Sequence, residues 1–363
     1  VKVTLLSKYS RLGASSRLRS LQYLPALKAA GIEVTVFPLF DDAYLEALYA
    51  GKGRPSGLVA RRYLARILNL RQAVDSDLLW IEKETLPYLP YGIEHALMPR
   101  GVPYMVDYDD AVFHNYDLSS HAWVRRLLGR KIDRVMAGSA AVLCGNDYLA
   151  ARALDAGAAR VQYVPTVVDA ERYRVRPRLG STEPVIGWIG TPSTQHYVVE
   201  LAPVLKYICK KHGARLVLVG ARPDVAERFK GLPVKVVPWS EEGEAEHVAR
   251  FDVGIMPLRD GPWERGKCGY KLIQYMACGK PVVASPVGVN TQIVQDCKCG
   301  LLTDSPEHWF QALDRLLSDT TEREAFGRNG REAVERKYSV QAQAPILVDI
   351  LRDVLLDGSP HVR

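Results

Sequence analysis

A chain of 363 residues is long enough for two domains of ordinary size, and 47% hydrophobic with 25% charged residues is a globular composition, not a disordered one. No apolar run approaches the roughly 20 residues of a membrane span, and the six cysteines (Cys144, Cys209, Cys268, Cys278, Cys297 and Cys299) lack the paired C-x2-C spacing of a zinc site or a disulfide framework. The net charge of +7 falls mostly in the first 165 residues; it is too small to argue for nucleic acid, and suits an anionic membrane surface or a phosphate-bearing substrate.

Val1 to Ser7 reads as a buried parallel strand in which no secretory signal is visible, so a reducing cytosol is the expected home. In the loop KYSRLGASSR that follows, Gly13 beside Ala14 and Ser15 leaves room for a ligand to approach the backbone, although one glycine is not a GxGxxG fingerprint. An amphipathic helix is predicted from Ser16 to Ala30, stopped by Gly31, and a strand from Ile32 to Phe37; strand, helix and strand at this spacing form the βαβ unit of a doubly wound sheet. Asp41 to Leu70 has a helical pattern rich in arginine. Leu78–Ile81 and Val102–Val106 are strands, the second running into DYDDAVFHNYD. A helix over 121–137 sets Trp123, Leu127, Leu128, Ile132 and Val135 against Arg125, Arg126, Arg130, Lys131 and Arg134. Ala141–Cys144 is again strand, followed by a helix and VQYVPTVVDAERY.

The polar, unpatterned run Arg174–Pro184 is the candidate linker. A second series begins at once: VIGWIG, a helix over 197–211, RLVLVGA, VKVVPW, a helix over 241–250 and DVGIMPL. The expected organisation is α/β with two Rossmann-like, doubly wound domains: 1–173, then the linker 174–184, then 185–340. The helix after 341 is amphipathic, and the family resemblance described below implies that it returns to the first domain.

The stretch Trp263–Val294 anchors the functional reading. A helix from about Tyr270 to Cys278 stops at Gly279, and Pro281–Ala284 forms a short buried strand closed by SPVG. Before the helix, Gly266 and Gly269 alternate with Lys267 and Lys271. Free N–H groups at a helix start, the macrodipole and two ammonium groups suit an anion, although a Gly-Lys turn before a helix is often only a turn.

The run KLIQYMACGKPVVASPVG resembles the signature of GT-B glycosyltransferases, above all the retaining, nucleotide-sugar-dependent family 4. Those enzymes carry Glu-x7-Glu followed by Ala-Met-Ala-x-Gly-x-Pro-Val-Val-Ala. The second half matches from Met276 to Ala284; Gly266 and Gln274 stand where the two glutamates are expected. VQYVPTVVDAERY is similar to the end of the family's first domain, with Pro165, Val168, Asp169 and Tyr173 keeping the pattern.

The resemblance implies two domains facing a cleft, the second binding a nucleotide-diphosphate sugar and the first an acceptor glycan or lipid-linked acceptor. It also implies retention of configuration, front-side attack with the leaving phosphate taking the acceptor proton, and neither metal nor further cofactor. Lys267, Lys271 and the helix N-terminus would stabilise the departing diphosphate. Gly190, Thr191 and Thr194 in GWIGTPSTQHY would cradle phosphate or sugar with Gly269 and Tyr270, although the hydroxyls also suit plain N-capping. Gln274 would accept from ribose hydroxyls. Trp239 stands where the base would stack, or is core. Glu264 replaces the first glutamate only if the loop shifts.

Asp-x-Asp in DYDD is a metal motif of a different glycosyltransferase architecture, so Asp110 and His114 are expected to contact an acceptor hydroxyl; helix capping by Asp109 or Asp110 is the alternative. The basic helices 58–71 and 121–137 suit either peripheral contact with an anionic membrane or plain solvation. An epimerase of the same fold and a non-catalytic nucleotide-sugar-binding subunit are the rival functions.

Overall fold

A computed structural model describes residues 1–49, 56–176 and 183–358. Most of the predicted linker, 177–182, and residues 50–55 of the predicted Asp41–Leu70 helix lie outside the described residues. Two compact units emerge, Val1–Thr166 with Gln343–Arg363, and Val167–Ala342.

The first unit is built on six parallel strands: β1 (Lys2–Leu6), β2 (Glu33–Val36), β3 (Leu78–Glu82), β4 (Tyr104–Tyr108), β5 (Ala141–Cys144) and β6 (Val161–Tyr163), ordered β2-β1-β3-β4-β5-β6. All five residues of β3 and of β4 are buried, as expected of apolar runs covered on both faces by helices. The order reverses between β1 and β3. In open α/β sheets the ligand crevice lies at such a reversal, outside the carboxyl ends of the strands.

In the second unit β7 (Val185–Ile189), β8 (Arg215–Val219), β9 (Val234–Val237), β10 (Val253–Met256), β11 (Val282–Ala284) and β12 (Gly300–Leu302) are likewise parallel, ordered β12-β11-β10-β7-β8-β9. Here the reversal falls between β7 and β10.

The anchor helix, Tyr270–Ala277, buries Leu272, Ile273, Tyr275 and Met276 completely. Each such side chain contributes about 1.5–3 kcal/mol relative to exposure. The Tyr275 hydroxyl accepts the Ile189 N–H at 3.2 Å and donates to the Ile255 carbonyl at 3.0 Å, tying the helix to β7 and β10 together. Gly254 leaves space for that ring, since a Cβ there would lie 2.3 Å from it. At the far end Gly279 turns with φ +66°, and Arg331 donates to the Ala277 carbonyl at 2.7 Å, satisfying an acceptor that the helix end leaves open.

Three predicted helices are interrupted. Ser16–Ala30 is two short helices, Ala14–Arg19 and Leu24–Ala29, with a 3₁₀ turn between them and Pro25 in the first turn of the second. The helix over 197–211 is Gln195–Glu200 and Ala202–His212, restarted at Pro203. Proline lacks the N–H a continuing helix needs and is tolerated only in a first turn. The helix over 121–137 breaks after Leu128 at Gly129 and resumes at Lys131. The final helix, Val340–Gly358, clusters with the first unit from Gln343 onward, and Arg352 donates to the Ala30 carbonyl at 3.2 Å.

Candidate functional site

The carboxyl edge of the second sheet is assembled through glycines. Gly190, at the end of β7, donates its N–H to the Val219 carbonyl of β8 at 3.0 Å. Gly220 follows β8 with φ +81°; a Cβ there would meet the Gly190 carbonyl oxygen at 2.2 Å and Trp239 Cβ at 3.2 Å. The ends of β7, β8 and β9 therefore touch, which only a residue without a side chain permits.

Gly190 also faces the Trp188 ring, which a Cβ would reach at 2.3 Å, and Lys271 holds its ammonium 5.9 Å from the centre of that ring. Lys271, at the start of the anchor helix, and the Gly190–Thr194 loop are thus brought to one place, at the strand reversal. Gly269 precedes the helix with φ +65°, packed so that a Cβ would lie 2.6 Å from Ile293. Lys267 holds its ammonium 6.0 Å from the Trp263 ring. Lys267, Tyr270 and Lys271 are half-buried, which leaves two cationic side chains part-exposed beside a helix N-terminus.

Other predicted residues are engaged with neighbouring side chains. The hydroxyls of Thr191, Ser193 and Thr194 bond within their own turn: Thr191 and Ser193 are 2.8 Å apart, and Thr194 donates to the Thr191 carbonyl at 3.1 Å. Thr194 stands at the N-cap of the following helix without a side-chain capping bond. Gln274 is 2% exposed, and its amide donates to the Tyr173 hydroxyl at 2.7 Å and to Glu244 Oε2 at 3.3 Å, so it is an interior link and not an open ribose acceptor. Trp239 is half-buried against the core and gives its indole N–H to Glu244 Oε2 at 2.7 Å. Glu264 accepts from the Tyr197 hydroxyl, which fixes it to the Gln195–Glu200 helix.

The carboxyl edge of the first sheet is held by buried charge. Pairing of Glu82 with Asp107 sets the ends of β3 and β4 side by side. Asp107 takes two bonds from the Arg19 guanidinium, at 3.0 and 2.6 Å; burial pushes its carboxyl up to about 6 despite that partner. Asp109 accepts from Ser15 at 2.6 Å and pairs with Lys83 at 2.9 Å. Burial would raise Asp109 too, but Lys83, Arg19 and Ser15 outweigh it and bring it down to about 2. Lys83 is held in the left-handed region at φ +67° and also lies 3.9 Å from Asp110, whose side chain is 31% exposed. The Asp109 carboxylate is committed to Lys83 and Ser15, and caps no helix.

Asp110 and His114 do not share a helix face. The helix there starts only at His114, whose two ring nitrogens meet Asp117 Oδ1 and the Tyr148 hydroxyl, each at 2.8 Å. At Gly13 a Cβ would lie 2.2 Å from that of Tyr9, so the packing of its own loop already requires a glycine. Among the described residues no group of three or more His, Cys, Asp or Glu is arranged to hold a metal ion.

Residues 183–319 match the family model described as Glycosyl transferases group 1. Most of the second unit is thus similar to group 1 glycosyltransferases. A GDP-mannose-dependent alpha-(1-6)-phosphatidylinositol monomannoside mannosyltransferase of Mycobacterium tuberculosis is 29% identical over 220 residues, covering 54% of this chain and 56% of that protein. The chain spans about half the length of the first curated relatives it matches. Sucrose-phosphate synthase from Thermosynechococcus elongatus aligns at a TM-score of 0.74 over 98% of this chain and 99% of its own, with 16% identity. Anabaena HepE in complex with UDP-glucose aligns at 0.70 over 97% and 99%, also with 16% identity. The fold is GT-B.

Within the second unit, sequence reasoning missed Glu244 and Tyr173 as partners of Gln274, and in the first unit Lys83 and Arg19 as partners of DYDD. The signal for Lys83 was the charged run Glu82-Lys83-Glu84 directly after an apolar strand, where a solvent-facing turn would ordinarily be read. Glu244 had no signal beyond its place in the loop WSEEGEAEH. Of the basic helices, Ala122–Leu128 exposes Trp123 (64%) and Leu127 (61%) beside exposed Arg125, Arg126 and Arg130. Among the described residues no helix is long and apolar enough to cross a membrane.

Proposed function

We propose that the protein is a family 4 glycosyltransferase that moves a sugar from a nucleotide-diphosphate sugar to an acceptor hydroxyl with retention of configuration and without a metal or further cofactor. The observation that carries this reading is the convergence of the Gly190–Thr194 loop, Lys271 and the anchor-helix N-terminus at the strand reversal of a unit similar to group 1 glycosyltransferases. Backbone N–H groups, a helix dipole and an ammonium group are suited to the charge that develops on a departing diphosphate. Lys267 adds a second cation from the preceding loop.

The acceptor falls to the first unit, where Asp110 is the part-exposed carboxylate at the strand ends and suits a hydroxyl group. The GDP-mannose and phosphatidylinositol in a relative's name, and the UDP-glucose bound by a structural neighbour, make purine and pyrimidine donors and a lipid-linked acceptor the first to test. A cytoplasmic enzyme that visits an anionic membrane face through Trp123, Leu127 and the neighbouring arginines fits that acceptor class.

The deciding experiment incubates the protein with UDP-glucose or GDP-mannose, in excess chelator, with and without a lipid-extract acceptor, and follows nucleoside-diphosphate release. Release that depends on acceptor supports the transferase. Interconversion of donor without acceptor makes the protein an epimerase, binding without release makes it a binding subunit, and activity that needs Mn²⁺ overturns the metal-free reading.

A further inference from the structure

Trp239 and Tyr270 are both half-buried, and behind them lie three polar side chains that are almost wholly enclosed: Glu244 (2% exposed), Gln274 (2%) and Tyr173 (1%). The three form one continuous hydrogen-bonded set. Glu244 Oε2 receives Trp239 Nε1 at 2.7 Å and Gln274 Nε2 at 3.3 Å, while Oε1 receives Arg172 at 3.0 Å. Gln274 Nε2 also donates to the Tyr173 hydroxyl at 2.7 Å, and Tyr173 shares a hydrogen bond with Tyr270. Buried polar groups satisfied in this way fix orientation, because breaking one link strands the others without partners.

The aromatic end of the set faces the strand edge. Trp239 Cβ lies 3.2 Å from where a Gly220 Cβ would stand, next to Gly190, and Tyr270 opens the helix that carries Lys271. Two part-exposed rings locked from behind, beside an anion-suited turn, are a platform for a planar group attached to phosphate.

We infer that Glu244 is the positioning residue of a nucleoside pocket: through Trp239 directly, and through Gln274 and Tyr173 to Tyr270, it orients the rings that receive the base and ribose of the donor. This rests on the nucleotide-sugar reading above. Glu244 itself is enclosed and fully engaged, so it acts on the ligand only through these partners.

The test uses the full chain and three probes, UDP, GDP and inorganic pyrophosphate, with dissociation constants from titration calorimetry. Glu244→Ala is expected to weaken the preferred nucleotide at least 10-fold and pyrophosphate less than 2-fold. Glu244→Gln should stay within about 3-fold of the unaltered protein, because its amide oxygen can still accept from Trp239 and Gln274 while its NH2 turns to the more exposed Arg172. Nucleotide binding should also change the tryptophan emission, and Trp239→Phe should remove most of that change. Should Glu244→Ala not fold, Tyr173→Phe, which removes one hydroxyl, is expected to cost nucleotide affinity about 3- to 10-fold and again spare pyrophosphate. Equal losses for nucleotide and pyrophosphate, unchanged nucleotide binding, or a Glu244→Gln as impaired as Glu244→Ala would overturn the inference. An unaltered protein that binds neither UDP nor GDP would instead sink the donor reading on which it rests.

Discussion

The carboxyl edges of the two sheets solve the same problem with different chemistry. In the first unit the strand ends are tied by enclosed ion pairs, Arg19 with Asp107 and Lys83 with Asp109, and Lys131 lies 2.5 Å from Glu84 and 3.0 Å from Glu94. In the second unit they are tied by close glycine contacts and neutral hydrogen bonds, with Gly190, Gly220 and the Tyr275 hydroxyl at the centre. Charge used for assembly is charge withdrawn from a ligand. The first edge therefore offers mainly Asp110, whereas the second keeps two half-buried lysines near solvent.

The largest test of that contrast is Lys83→Met. It leaves Asp109 enclosed without its cation, and loss of one partner of a buried pair costs about 3–5 kcal/mol; chemical denaturation should show this loss in the first unit. Lys271→Met should change stability by less than about 1 kcal/mol, as expected of a part-exposed side chain. A similar loss for both would erase the distinction. For ligand binding the ranking inverts: Lys271→Ala is expected to weaken a nucleoside diphosphate by about 1.5–3 kcal/mol, the value of a charge-assisted contact, and the matching nucleoside far less. Equal losses would remove Lys271 from the phosphate site.

The next effect is one of pH. Asp109 falls from an ordinary 3.8 to about 2 in the folded chain, so its contribution is complete above 3.8 and disappears as pH drops through 2. A difference of that size is worth about 2 kcal/mol. Urea midpoints between pH 4 and pH 2 should therefore fall more steeply for the unaltered protein than for Asp109→Asn. Parallel curves would mean that the carboxylate is no better held than in the unfolded chain. The smallest effect belongs to the surface, where each arginine near anionic lipid is worth about 1 kcal/mol. Replacing Arg125, Arg126 and Arg130 by Glu should abolish sedimentation with anionic vesicles at low salt and leave donor binding intact. If the unaltered protein ignores such vesicles, the face is merely solvated.

The sequence made the strands legible because runs such as VTLL and LLWI are buried on both sides and carry no competing pattern. The anchor helix was legible for a related reason: its apolar stripe, Gly269 and Gly279 mark face, start and stop. Helix continuity was misread at Pro25 and Pro203, where the apolar spacing runs on through a residue that restarts the helix. Local shape was legible where backbone chemistry decides it, at Gly190 and Gly269, where a side chain would clash with its neighbours. The site was not legible where a side chain's partner comes from far along the chain. Ser15 reaches Asp109 across 94 positions and Gln274 reaches Tyr173 across 101, and no local spacing encodes such a pairing.

One hydroxyl group has a consequence for the order in which the second unit comes apart. Because the Tyr275 oxygen receives the Ile189 amide and grips the Ile255 carbonyl, the anchor helix cannot lift away while both central strands stay sealed. Native-state deuterium uptake should register this as one cooperative opening, with the Ile189 amide exchanging no faster than the helix that covers it. In Tyr275→Phe that amide should become labile first, well ahead of the helix.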